Sequence, residues 1–145
     1  MNAIAACREV GDRSREAWAA GNLAAIRDRA GRPAAAVEAQ KQAQAIYTDL
    51  AATDPNFRGV LAQTEVFLGM YLTRAVQYDE AITVTRHAIG LYQAIGDRPL
   101  TAWANTNLAN YRAAADRYHD AVAAQAEARR VYRELAVTTR QVYPG

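Results

Sequence analysis

Residues 107–135 read NLANYRAAADRYHDAVAAQAEARRVYREL, and this stretch decides the fold. Leu108 is followed at thirteen residues by Ala121-Val122, then by Ala128, Tyr132 and Leu135. The same ladder stands earlier as Leu68, Ala81-Ile82, Ala88, Tyr92 and Ile95, and earlier still as Leu23, Ala36-Val37, Ala43, Tyr47 and Leu50. The copies are offset by 45 and 40 residues. A repeat of this period signals stacked helical hairpins, because one hairpin alone cannot bury its apolar face.

Working outward, the second helix of each pair keeps its alanines, tyrosine and leucine on one face through spacings of seven, four and three. Alanine at the close contacts lets helices approach, so a large residue at Ala81 or Ala121 should overpack the joint. The pattern predicts helices over roughly 13–30, 34–52, 58–75, 79–95, 99–115 and 118–137. Gly31-Arg32-Pro33 stops one helix and opens the next. The equivalent joints, Val76-Gln77-Tyr78 and Asp116-Arg117-Tyr118, lack glycine, but Asp79, Asp116 and Asp120 suit helix starts. Thr53-Asp54-Pro55-Asn56 and Gly96-Asp97-Arg98-Pro99 are turn sequences between hairpins. Gly11-Asp12-Arg13 matches Gly96-Asp97-Arg98, with Val10 in the place of Ile95 and Cys7 in that of Tyr92. Residues 1–12 therefore read as the tail of a preceding repeat, 13–56 as repeat 1, 57–97 as repeat 2 and 98–145 as repeat 3. The last helix is expected to end at Tyr143-Pro144-Gly145 without a polar capping helix.

The 145 residues suffice for one domain with a real core. Apolar residues make up 51% and charged residues 22%, a folded rather than disordered balance. Alanine, the best helix former, occurs 34 times. Sixteen arginines against one lysine, with that alanine excess, point to a high-GC bacterial source. No run approaches ~18 apolar residues, so no membrane span is expected. The start lacks the basic segment and long apolar core of a secretory signal. A lone Cys7 has no internal disulfide partner, and a cytoplasmic setting is the simple inference. A net charge of +2 demands neither nucleic acid nor membrane as a partner.

The ladder resembles the tetratricopeptide repeat, and the likeness covers nearly the whole chain. Its third copy is the nearest, with Asn107-Leu108-Ala109, Asp116-Arg117-Tyr118-His119-Asp120-Ala121-Val122 and Ala128; the middle copy has Leu68-Gly69, Tyr78-Asp79-Glu80-Ala81-Ile82 and Ala88. The first copy departs, with Pro33-Ala34-Ala35 where an aromatic and acidic residues are usual. The repeat length is similar to the longer variant of kinesin light chains and of multidomain bacterial regulators. The resemblance implies an all-α fold: a right-handed superhelix of three antiparallel hairpins plus a partial N-terminal helix. It also implies a concave face, lined by the first helix of each pair, that binds an extended peptide or a partner helix.

On that face the stripe relative to each aligned leucine is Trp18, Gln63 and Trp103; Asn22, Phe67 and Asn107; Ala25, Met70 and Asn110; Arg29, Arg74 and Ala114. Asparagine both donates and accepts, so Asn22, Asn107 and Asn110 suit a clamp on a ligand's backbone; the alternative is plain solvation. Arg29 and Arg74 read as partners for an acidic side chain or a C-terminal carboxylate, or as intramolecular pairs. Trp18 and Trp103 read as groove anchors or as packing between helices, and Phe67 and Met70 as pocket floor or core.

Nothing in the sequence reads as an active site, a metal site or a cofactor site. Ser14 and Cys7 have no nearby histidine, and Cys7 falls at a core position where a thiol is inert. His87 and His119 are 32 residues apart and read as solvated, His87 on an outer helix face. Asp79 and Glu80 are adjacent and so point to different sides of a helix. Arg129, Arg130 and Arg133 form a basic cluster that reads as a solvated helix face rather than a nucleic-acid surface. A non-enzymatic module for a protein or peptide partner is the first expectation. Self-assembly through the repeat ends, as a homodimer or longer stack, is the second, because Val131, Tyr132, Leu135 and Val137 leave an apolar strip uncovered. An effector-sensing portion of a larger regulator is the third. The residues do not name the partner.

Overall fold

The computed structural model describes residues 3–142, which contain five α-helices: α1 (Ala3–Arg29), α2 (Pro33–Thr53), α3 (Arg58–Arg74), α4 (Tyr78–Ile95) and α5 (Arg98–Val142). A 3-10 turn, Pro55–Phe57, links α2 to α3. Helices pack in chain order, α1 with α2 and α3 with α4 as hairpins, α2 with α3 and α4 with α5 between them. This is the expected all-α stack of hairpins. The expected end of the last helix, Tyr143-Pro144-Gly145, lies outside the described residues, as does the side chain of Cys7.

Each observed turn has a local cause. Gly31 holds the left-handed φ of 74° that ends α1's regular path, and Pro33 starts α2. Val76 takes φ 63° at the equivalent joint, a strained choice for a β-branched residue. It is held there because its two flanking helices are packed from both sides. Gly96 at φ 80° closes α4, and the Asp97 N–H donates to the Tyr92 carbonyl (3.1 Å), a Schellman-type end. Asp54 Oδ1 accepts from the Asn56 N–H (2.9 Å), and Asp97 Oδ1 from the Leu100 N–H (3.0 Å).

Two expected joints are helical instead. At Asp116-Arg117-Tyr118, α5 runs straight through, so the third hairpin is open and residues 118–137 continue as an arm. Asp116 stands where Gly31 and Val76 stand, and Tyr118 where Pro33 stands. Neither the left-handed glycine nor the proline block is present, and no following helix among the described residues holds the turn shut. Asp116 and Asp120 therefore lie inside a helix, and Ala121 is exposed rather than packed. At Gly11-Asp12-Arg13, α1 also continues. Ser14 replaces the proline of the matching Gly96–Pro99 turn, and the helix absorbs Gly11 at a cost of ~1 kcal/mol. Val10 is 40% exposed there.

Between the closed hairpins lies a core joining Ala24, Ala36, Val37 and Ala39 to Leu68, Tyr71, Leu72, Ala81 and Val84. A second cluster sets Ala43, Tyr47 and Leu50 against Ala17, Ala20 and Leu61. A third sets Ala88, Ile89 and Tyr92 against Ala62, Val66, Ala104 and Leu108. Apart from Leu23 and Ile95, which are 38% and 46% exposed, the first two copies of the repeat ladder thus supply the core that their spacing predicts.

Candidate functional site

Where α1, α2 and α3 meet, one cavity of ≈ 270 Å³ opens between the exposed edges of α1 and α3. Trp18 and Asn22 project from α1, Gln63 and Phe67 from α3, one helical turn apart in each case. Tyr47 of α2 and Tyr71 of α3 form the deeper wall, and Gly21 leaves the α1 side open. Trp18 is 68% exposed although it is the largest side chain at the site. The structure thus brings Trp18, Asn22, Gln63 and Phe67 of the expected stripe to a single place.

The rest of the stripe separates by role. Trp103 bridges repeats: its ring lies 5.7 Å from Phe67 and 6.5 Å from Tyr92, both edge-on. Met70 packs on the central core. Arg74 is paired with Asp28, whose carboxylate is largely buried, while Arg29 is exposed. Asn107 Nδ2 donates to the Trp103 carbonyl one turn back (2.9 Å), whereas Asn22 and Asn110 are exposed.

Two buried polar groups near this junction, Gln40 and Glu65, were not singled out by sequence. Gln40 is 4% exposed; its Nε2 donates to the Thr64 carbonyl (3.0 Å), and its Oε1 has no partner among the described residues. Glu65 is 3% exposed and accepts from Gln44 Nε2 (3.1 Å). His87 is exposed, as expected of an outer helix face, with 61% of its side chain accessible, but it is also paired: its Nδ1 lies 2.6 and 2.8 Å from the two Glu65 oxygens. Burial pushes the Glu65 carboxyl above its ordinary 4.5, against the opposing pull of His87 and Gln44. Glu65 thus ties α2, α3 and α4 together through one carboxylate. The signal was present as a charged residue set directly before the apolar run Val66-Phe67-Leu68.

Tyr111 donates to the Val66 carbonyl (2.9 Å), and burial pushes its phenol up to about 12. Tyr92 is also pushed up to about 12 by burial, but its hydroxyl has no partner among the described residues. His119 lies exposed beside Tyr118 (5.8 Å) and Tyr78 (6.5 Å), part of an aromatic group at the open joint. Among the described residues no three His, Cys, Asp or Glu side chains converge as a metal site requires. No described helix is long and apolar enough to cross a membrane.

Stacked hairpins with a shared side-chain cavity between their first helices define a repeat scaffold, a class whose members present surfaces to other proteins. The family model described as Tetratricopeptide repeat matches residues 60–134, just over half of the chain. The chain belongs to the tetratricopeptide repeat family, whose members are generally protein-interaction scaffolds. A comparison with curated proteins gives no match.

Proposed function

We propose that this chain is a non-enzymatic, cytoplasmic scaffold that holds an extended segment of a protein partner along the exposed faces of α1, α3 and the first half of α5. The observation that carries the reading is the cavity shared by Trp18, Asn22, Gln63 and Phe67. Aromatic walls bury a ligand side chain, while the two exposed amides donate to and accept from its backbone. Such holding tolerates many side-chain sequences and fixes direction through hydrogen bonds. Arg29 is the cation left for an acidic side chain or terminal carboxylate, since Arg74 is already paired with Asp28.

The test is selection of peptides from a random library on the wild-type chain, followed by binding to Trp18→Ala/Gln63→Ala. Selected peptides should lose at least about tenfold in affinity on the double variant, roughly the ~1.4 kcal/mol of one buried anchor. Equal affinity on both proteins removes the cavity from the function.

A second reading, self-assembly through the repeat ends, is favoured by the exposure of Val131 (40%), Tyr132 (73%), Leu135 (56%) and Val137 (52%).

A further inference from the structure

The arm of α5 repeats the buried face of α2. That face consists of Ala36, Val37, Ala39, Gln40, Ala43, Tyr47 and Leu50. Eighty-five residues on stand Ala121, Val122, Ala124, Gln125, Ala128, Tyr132 and Leu135, identical at all seven positions. All seven are exposed in α5. A set that buries itself in one place and is bare in another marks an interface without its other half. Most of a helix's stability in a protein comes from packing its apolar face, so the arm gains from a neighbour.

α2 buries its face against two helices, its own α1 on one side and the following α3 on the other. The first neighbour exists for the arm within the chain. Ala102, Ala109 and Arg112 repeat Ala17, Ala24 and Arg27 of α1, and are likewise exposed. Arg27 Nη1 donates to the Ala35 carbonyl across the first hairpin (3.0 Å), and Arg112 stands in the same relation to Asp120. The second neighbour, the role α3 plays for α2 and α5 for α4, is not supplied by the described residues.

That second surface is bare on α1. Leu68 and Tyr71 of α3, and Leu108 and Tyr111 of α5, are at most 6% exposed where the preceding helix covers them. Their counterparts on α1, Leu23 and Ile26, are 38% and 60% exposed. The two halves of one inter-repeat contact thus sit unused at opposite ends of the molecule.

We infer that a second copy of this chain seats its α1 on residues 118–137, head to tail, and that this contact folds the arm back at Asp116–Tyr118 to complete the third hairpin. The internal joints specify the contacts. Tyr132 meets Trp18 of the second copy as Tyr92 meets Trp103, and Gln125 donates to the Ala19 carbonyl of the second copy as Gln40 donates to that of Thr64. Asp116 takes the left-handed conformation that Gly31 and Val76 hold, with less strain than a β-branched valine. The inference deepens the second reading above; it shares Trp18 with the groove, but the four residues on which it is tested, Leu23, Ile26, Tyr132 and Leu135, lie outside the cavity, so its failure and that of the groove are told apart.

A heterologous contact is diagnosed by mixing. One variant, Leu23→Glu/Ile26→Glu, loses the α1 surface; another, Tyr132→Glu/Leu135→Glu, loses the arm surface. Light scattering with size exclusion at about 100 µM should find the wild type associated and each variant alone monomeric. An equimolar mixture of the two variants should give a dimer that grows no further. All four sites are exposed, and circular dichroism checks that each variant is folded. Closure is read by Ala109→Cys/Ala121→Cys in a Cys7→Ser chain. These positions are ~18 Å apart along a continuous helix, beyond the ~7 Å that a disulfide spans. The disulfide should form in the associating chain and be lost when Tyr132→Glu/Leu135→Glu is added. A monomeric wild type, a mixture without heterodimer, a variant that still dimerises alone, or a disulfide formed equally by the monomer each overturns the inference.

Discussion

Gly69 is the residue whose replacement tests the packing most sharply. It lies where α3 is crossed by α4 and by α5, in the middle of the stack. A Cβ added there would collide with Thr85 Oγ1 and stand 2.8 Å from Tyr111 Cε2 and 3.3 Å from the Ala81 carbonyl. None of these neighbours is free to move. Thr85 is fully buried and donates to the Ala81 carbonyl (2.7 Å), Tyr111 donates to the Val66 carbonyl (2.9 Å), and the third neighbour is backbone. Overpacking of this kind costs ~1–3 kcal/mol, and displacing the Tyr111 hydroxyl adds ~1 kcal/mol. Helix propensity returns up to ~1 kcal/mol for glycine to alanine. Gly69→Ala should therefore destabilise by about 2 kcal/mol, lowering Tm by ~4–8 °C for a chain of this size. Gly90 provides the control, since its added Cβ meets nothing within 4 Å and it too lies inside a helix. Gly90→Ala should stabilise by ~0.5–1 kcal/mol. Thermal and urea unfolding followed by circular dichroism measures both. If Gly69→Ala is as stable as the wild type, or moves in the same direction as Gly90→Ala, the three-helix crossing is wrong.

Two further outcomes follow from the buried polar groups and one from the alanine contacts. Glu65 binds its proton more tightly folded than unfolded, so its contribution to stability falls as pH rises from 4.5 through its raised value and is constant above it. Urea unfolding from pH about 4 to about 8 should show the wild type losing stability relative to Glu65→Gln across that window; a constant difference contradicts this. Tyr111→Phe should cost ~1 kcal/mol for its lost hydrogen bond, whereas Tyr92→Phe, which removes an unpaired buried hydroxyl, should be neutral or stabilising. Equal losses in the two tyrosine variants would show that Tyr92 has a partner. Ala81→Leu should destabilise by ~1–3 kcal/mol at a fully buried site, while Ala121→Leu in the exposed arm of the unassociated chain should change stability by less than ~0.5 kcal/mol.

The first two hairpins were legible because their punctuation is local. Gly31 with Pro33, Asp54 with Pro55, and Gly96 with Asp97 each fix a turn within a few residues. The alanine, tyrosine and leucine ladder then states which faces meet. The open third joint was not legible, because Asp116-Arg117-Tyr118 and Val76-Gln77-Tyr78 look alike in lacking glycine and proline. What separates them is tertiary: α4 is enclosed by α3 and α5, and the arm is enclosed by nothing in the described chain. At the site, the cavity's Trp18, Asn22, Gln63 and Phe67 followed from helical spacing. The Glu65–His87 contact did not, since its members sit on different helices 22 residues apart. Gln40 was hidden for the opposite reason, as an amide inside an otherwise apolar stripe. Arg74 was indistinguishable from Arg29 until Asp28 was placed beside it.

The most direct measurement of the central claim is a backbone and side-chain NMR titration with a peptide selected on the wild-type chain. The account predicts the largest shifts at Trp18, Asn22, Gln63, Phe67 and Tyr71, around one cavity. Shifts confined to the outward faces of α2 and α4, with those five residues unmoved, would contradict it.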